Sequence, residues 1–146
     1  MFTQEELLAK LPRLMEQDAL PMERVEFLPE DFDSSSSEEN IVVDRGLKME
    51  FESALQFWVQ SLRTQDLAKR QDYILKYART GKCTQMIAAD FDHLIKEYSY
   101  SLKTPISLAP KSKFISAMQM YDDWNDIALL AEFEQEYIAF YWATTA

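Results

Sequence analysis

Glycine is nearly missing from this chain: Gly46 and Gly81 are the only two in 146 residues. Tight β-turns use glycine where φ must be positive, so its scarcity argues for helices joined by loops. Cys83 is the only cysteine, which excludes an internal disulfide and a zinc site built on thiolates. A single thiol agrees with a reducing compartment, and a cytoplasmic location is expected. No run approaches the roughly 18 apolar residues of a membrane helix. Met1 to Glu6 has neither the basic nor the apolar stretch of a secretory signal, so none is expected. There is no glycine-rich phosphate loop, no serine nucleophile elbow and no zinc-protease helix motif. No cofactor and no metal are expected.

What is present is acidic, aromatic and unevenly laid out. The net charge is −10. Residues 16–50 carry eleven acidic and three basic side chains, residues 51–118 carry six and ten, and residues 119–146 carry six acidic and no basic ones. Such a balance disfavours nucleic acid or an anionic membrane as the main partner and favours a basic protein. With 47% hydrophobic and 13% aromatic residues, the chain is too apolar to stay disordered. Its length suits a single domain over 1–146, with a mobile acidic, serine-rich loop at about 30–40.

Thr3 and Glu6 have capping-box spacing ahead of Leu7, Leu8, Leu11, Leu14 and Met15, with Pro12 placed to kink or split that helix. Val25, Phe27 and Ile41-Val42-Val43 suit short strands in an otherwise irregular stretch over 18–45. Phe51, Ala54, Leu55, Trp58, Val59 and Leu62 form one apolar helical stripe. Leu67, Ile74, Leu75 and Ala78 mark another helix, which Gly81 is placed to end. Ile87, Phe91, Leu94, Ile95 and Tyr98 mark a third, followed by a loop with Pro105 and Pro110. Ser112 suits a cap for a further helix through Phe114, Ile115, Met118 and Tyr121. Beyond Trp124, helix and hairpin compete, and the density of aromatic and β-branched residues over 137–145 favours the hairpin.

The expected fold class is therefore α+β and predominantly helical. Antiparallel helices are expected over about 4–15, 48–63, 65–79 and 84–99, with a C-terminal β-hairpin over about 127–144; an all-α bundle is the alternative.

The candidate partner-binding residues are Asp122, Asp123, Trp124, Asp126, Glu132, Glu134 and Glu136, with Asp31, Asp33, Glu38 and Glu39 of the loop second. A segment with six carboxylates and no cation reads as a docking surface, which Trp124, Tyr137, Tyr141 and Trp142 would anchor where they are not core. The favoured function is a small acidic module of the immunity or inhibitor type, covering one basic toxin or nuclease. The alternative is a regulatory or chaperone-like adaptor with a groove along Phe51, Leu55, Trp58 and Leu62. A metal-dependent enzyme on His93, with Asp90 and Glu97 on the same helical face, ranks third, because one histidine and two carboxylates make a thin ligand set. Asp31, Asp33, Ser35, Ser37 and Glu39 imitate a calcium loop but lack its glycine, where Ser36 stands, and its bidentate glutamate, where Val42 stands. Lys69, Arg70, Lys76, Arg79 and Lys82 are helically spaced and suit pairing with the chain's own acids. Cys83 lies too far from His93 in sequence for a nucleophile pair and reads as an inert thiol.

Overall fold

The computed structural model describes residues 1–66 and 72–145. Its centre is a six-stranded, wholly antiparallel sheet. The strands are β1 (Glu23–Phe27), β2 (Glu39–Leu47), β3 (Thr84–Met86), β4 (Phe114–Asp123), β5 (Asp126–Phe133) and β6 (Glu136–Thr144), in the order β1-β2-β6-β5-β4-β3. The helices are α1 (Gln4–Met15), α2 (Ala54–Asp66), α3 (Asp72–Thr80) and α4 (Ala88–Ser99).

Both faces of the sheet are covered. Met118, Met120, Ala128, Leu130, Tyr137, Ala139 and Tyr141 meet α1, α2 and α3 on one face. On the other, Ile41, Val43, Ile127, Leu129, Ile138, Phe140 and Trp142 meet α4 and the segments carrying Phe32 and Leu102. The period-two alternation along β5 and β6 divides these sets. Because each set finds an apolar layer, β5 is buried along nearly its whole length.

The expectation of a predominantly helical chain, or of an all-α bundle, is corrected: strand (34%) nearly matches helix (35%). The error lies in reading scarce glycine as scarce turns. Among the described residues only Cys83 and Ala109 have positive φ, so these hairpins turn without left-handed residues. At the β5–β6 turn the Glu134 N–H donates to the Lys113 carbonyl and the Gln135 N–H to Ser112 Oγ. Partners outside the hairpin thus satisfy what a glycine turn would satisfy internally.

Several elements shift accordingly. The helix expected over 48–63 starts later, at Ala54, because Ser53 caps it: Ser53 Oγ accepts from the Gln56 N–H at 3.1 Å. The helix expected over 84–99 is divided into β3 and α4. In place of a helix after Ser112 stands β4, which pairs with both β3 and β5. Of the helix expected over 65–79, Leu67, Lys69 and Arg70 lie outside the described residues. The α1 helix is not split at Pro12, and Thr3 Oγ1 caps it by accepting from the Glu6 N–H. β5 and β6 do pair as a hairpin, but in the interior of a sheet rather than appended to helices.

Gly46 sits in β2 under two aromatic rings. A Cβ there would strike the Phe51 ring and lie 3.0 Å from Phe57 Cδ1. Those rings are also edge-to-face with each other, 5.2 Å between centroids, so neither is free to retreat. Gly46→Ala is expected to cost about 1–3 kcal/mol through overpacking, read as a lower urea midpoint with an unchanged slope. An unchanged midpoint would show that the rings move aside at no cost.

Candidate functional site: an acidic end of the sheet

The strand register decides which of the candidate carboxylates lie together. β4 ends at Asp123, opposite Asp126, where β5 starts; Asp126 is opposite Ala143 of β6, and Thr144 is opposite Glu39 of β2. The β4–β5 turn and the start of β2 therefore share one end of the sheet. The Thr144 N–H donates to the Asn125 carbonyl at 3.0 Å and closes that end. The loop before β2 is tied to the chain after α4: the Asp33 N–H donates to the Ser101 carbonyl and the Lys103 N–H to the Asp31 carbonyl. Asp31, Asp33, Glu38, Glu39, Asp122 and Asp123 thus gather from segments distant in sequence.

α4 delivers Tyr98 and Glu97 to the same end. Tyr98 packs on Trp142 with 4.7 Å between centroids, and Trp142 Nε1 donates to Glu39 Oε1 at 2.9 Å. Burial pushes the Tyr98 phenol up, and the negative fields of Glu97 and Asp122 push it further. Asp123 Oδ1 accepts from the Trp124 N–H at 2.8 Å, fixing the turn while the indole stays 72% exposed. Tyr100 is 83% exposed. Lys82 Nζ lies 3.6 Å from Asp122 here, and Lys103 Nζ donates to the Glu30 carbonyl.

Glu132, Glu134 and Glu136 lie at the other end, about 20 Å away at roughly 3.3 Å per residue along β5. They do not form one face with Asp122 and Asp123. Glu136 is buried: its Oε1 accepts from Arg45 Nη2 at 2.8 Å and Nε at 3.0 Å, and its Oε2 from the Lys111 N–H. Arg45 Nη1 also donates to the Leu108 carbonyl. Glu132 pairs with Lys48 Nζ at 2.6 Å, and Glu134 Oε1 accepts from the Lys113 N–H. Glu136 and Glu132 are thus tied to β2 and the chain after it, while Glu134 is exposed. Asp126 is buried as well, with Tyr77 Oη donating at 2.8 and 2.9 Å. The exposed part of the candidate set is Asp31, Asp33, Glu38, Asp122, Asp123 and Trp124 at the first end and Glu134 at the other.

Phe51, Leu55, Trp58 and Leu62 are buried against the sheet and line no groove. Tyr137, Tyr141 and Trp142 are core, which leaves Trp124 as the exposed aromatic of the four. His93 is exposed, with Nε2 3.7 Å from Glu97 Oε2, and shares with Asp90 a shallow cleft of about 310 Å³. Among the described residues no three His, Cys, Asp or Glu side chains come together as a metal site. Lys82 does pair with an acid of the chain, Asp122. Burial pushes the Cys83 thiol up, away from the reactive thiolate. No helix among the described residues is long and apolar enough to cross a membrane.

Sequence reasoning missed a buried polar cluster. Arg24 Nε and Nη2 donate to the two Asp44 oxygens at 2.7 Å each, and Ser61 Oγ donates to Asp44 Oδ2. Ser61 has one proton, so the 2.7 Å bond to Tyr141 Oη is donated by the phenol. Burial and the Asp44 charge push Tyr141 well above the usual tyrosine range, which keeps that proton in place. Arg24 and Asp44 are directly opposed across β1 and β2, a relation visible only once the register is known.

No family model matches this chain, and neither the curated proteins nor the solved structures contain a match. The comparisons lend no support to an immunity or inhibitor role.

Proposed function

We propose that this protein is a binding module for one basic protein partner, engaged through the acidic end formed by the β4–β5 turn, the loop before β2 and the end of α4. The observation that carries this reading is the sorting of the carboxylates. At the β5–β6 end Arg45 and Lys48 hold Glu136 and Glu132 and leave Glu134 exposed, while Asp31, Asp33, Glu38, Asp122 and Asp123 all stay exposed at the end that carries Trp124, with Lys82 beside Asp122. A net acidic surface speeds encounter with a cationic target, and an exposed indole supplies the desolvated anchor such interfaces need. Where the partner's cationic surface is a phosphate-handling site, as in a basic nuclease or toxin, binding inhibits by occlusion. A cytoplasmic site of action belongs to the same proposal.

Two variants test the location. Trp124→Ala, and the pair Asp122→Asn with Asp123→Asn, are expected to weaken capture of the partner at least about tenfold while leaving the unfolding free energy within about 0.5 kcal/mol of the parent. Glu134→Gln, at the opposite end, is expected to leave capture unchanged. Equal loss from both ends, or none from the first, would remove the acidic end as the docking surface.

A further inference from the structure

The two edges of the sheet are unlike. β3 covers one with three residues, whereas β1 leaves five residues of unbulged strand with no further strand beside them among the described residues. Open edges are templates for another strand, and proteins usually blunt them with proline, bulges or charge. β1 has no proline, and Val25 on it and Leu28 just after it are 43% and 47% exposed. Its charges, Glu23, Arg24 and Glu26, are of both signs, so their effect depends on what faces them.

We infer that β1 pairs antiparallel with β1 of a second copy of this chain, about a two-fold axis at Val25. The register follows from parity and charge. Directly opposed residues in an antiparallel pair point to the same face. Arg24 lies on the helical face, where it meets Asp44 and the Ser61 carbonyl of α2, and Glu26 Oε1 is 3.8 Å from Arg24 Nη1 on that face. Centred registers that keep both helical layers on one side oppose Arg24 to Arg24, Arg24 to Glu26, or Glu26 to Glu26. The first and last bring like charges together. The middle one brings opposite charges together twice by symmetry, and sets Val25 against its own copy on the other face. The charges of β1 therefore select one register instead of blunting the edge. Two short strands bury less than the roughly 1,200–2,000 Å² of a stable interface, so the dimer is weak, in the range of about 10–300 μM. Salt screens both the repulsion between two copies of −10 and the two Arg24–Glu26 attractions, so the dimer's salt dependence is shallow, unlike that of an acidic docking surface. Failure of one proposal is thus distinguishable from failure of the other.

Sedimentation equilibrium of the full chain from about 5 to 500 μM tests the inference. The parent is expected to dimerise reversibly, and Glu26→Lys, which opposes two cations, to weaken the dimer at least about tenfold. Glu16→Lys, the same charge change at the exposed end of α1, is expected not to weaken it. A parent that stays monomeric at the top concentration, or equal behaviour of the two variants, overturns the proposal. The register has its own readout in a Cys83→Ser background. Val25→Cys is expected to form an intersubunit disulfide on mild oxidation and Glu23→Cys is not; the reverse outcome overturns the two-fold at Val25.

Discussion

Asp44→Ala is expected to destabilise the fold by about 4 kcal/mol, within the range for removing one member of a buried ion pair. Asp44 is fully buried, and its loss removes the acceptor of two guanidinium N–H groups of Arg24 and of the Ser61 hydroxyl. The Arg24 side chain, 19% exposed, cannot regain full hydration without leaving β1. The loss is a large share of the roughly 5–15 kcal/mol that holds a domain of this size, and should lower Tm by roughly 10–15 °C. Replacing both partners, Arg24→Met with Asp44→Leu, is expected to cost less than Asp44→Ala alone, because no stranded charge remains. Chemical denaturation of the three variants checks this. A loss below about 1 kcal/mol for Asp44→Ala would show that water reaches the pair.

Glu136→Ala carries the second large expected effect, about 3 kcal/mol, at the lower end of the same range because Arg45 keeps 19% of its side-chain surface exposed. Glu136 joins Arg45 of β2 to the Lys111 N–H, and Arg45 in turn holds the Leu108 carbonyl. Removing the carboxylate should free the stretch 108–111, seen as faster amide exchange there than in β5 or β6. The neighbouring Glu134→Ala is expected to cost under about 0.5 kcal/mol, since that side chain is exposed and accepts one long bond, 3.3 Å, from the Lys113 N–H. Similar losses for the two would contradict the division of the β5–β6 acids into buried and solvated ones. Neither change is expected to alter partner capture, which is proposed for the opposite end.

How far the sequence was legible follows from particular elements. The Thr3 cap and the leucine spacing of α1 are local signals, and local contacts honour them. The stripe Phe51, Leu55, Trp58 and Leu62 was legible as a buried face, and it packs on the sheet. β4 was not legible as a strand, because Phe114, Ile115, Met118 and Tyr121 also satisfy a helical period and nothing local separates the two. β5 reads as nearly continuous apolar sequence because both its faces are covered, which erases the alternation that marks a strand with one wet face. The acidic residues over 122–136 were legible as charge but not as two ends. Their sorting depends on a hairpin register that sets Asp126 and Glu132 at opposite ends of β5. The pairing of Asp44 with Arg24 had no sequence signal at all, since twenty positions separate the two and only the β1–β2 register brings them together.

The most direct test of the docking role is capture of native partners by tagged protein at about 0.05 M and about 0.5 M salt, a range that takes the Debye length from above 10 Å to well below it. A single basic protein, recovered at low salt and depleted at high salt, is the predicted result. A partner held equally at both salts would contradict an interface built on the exposed carboxylates around Trp124.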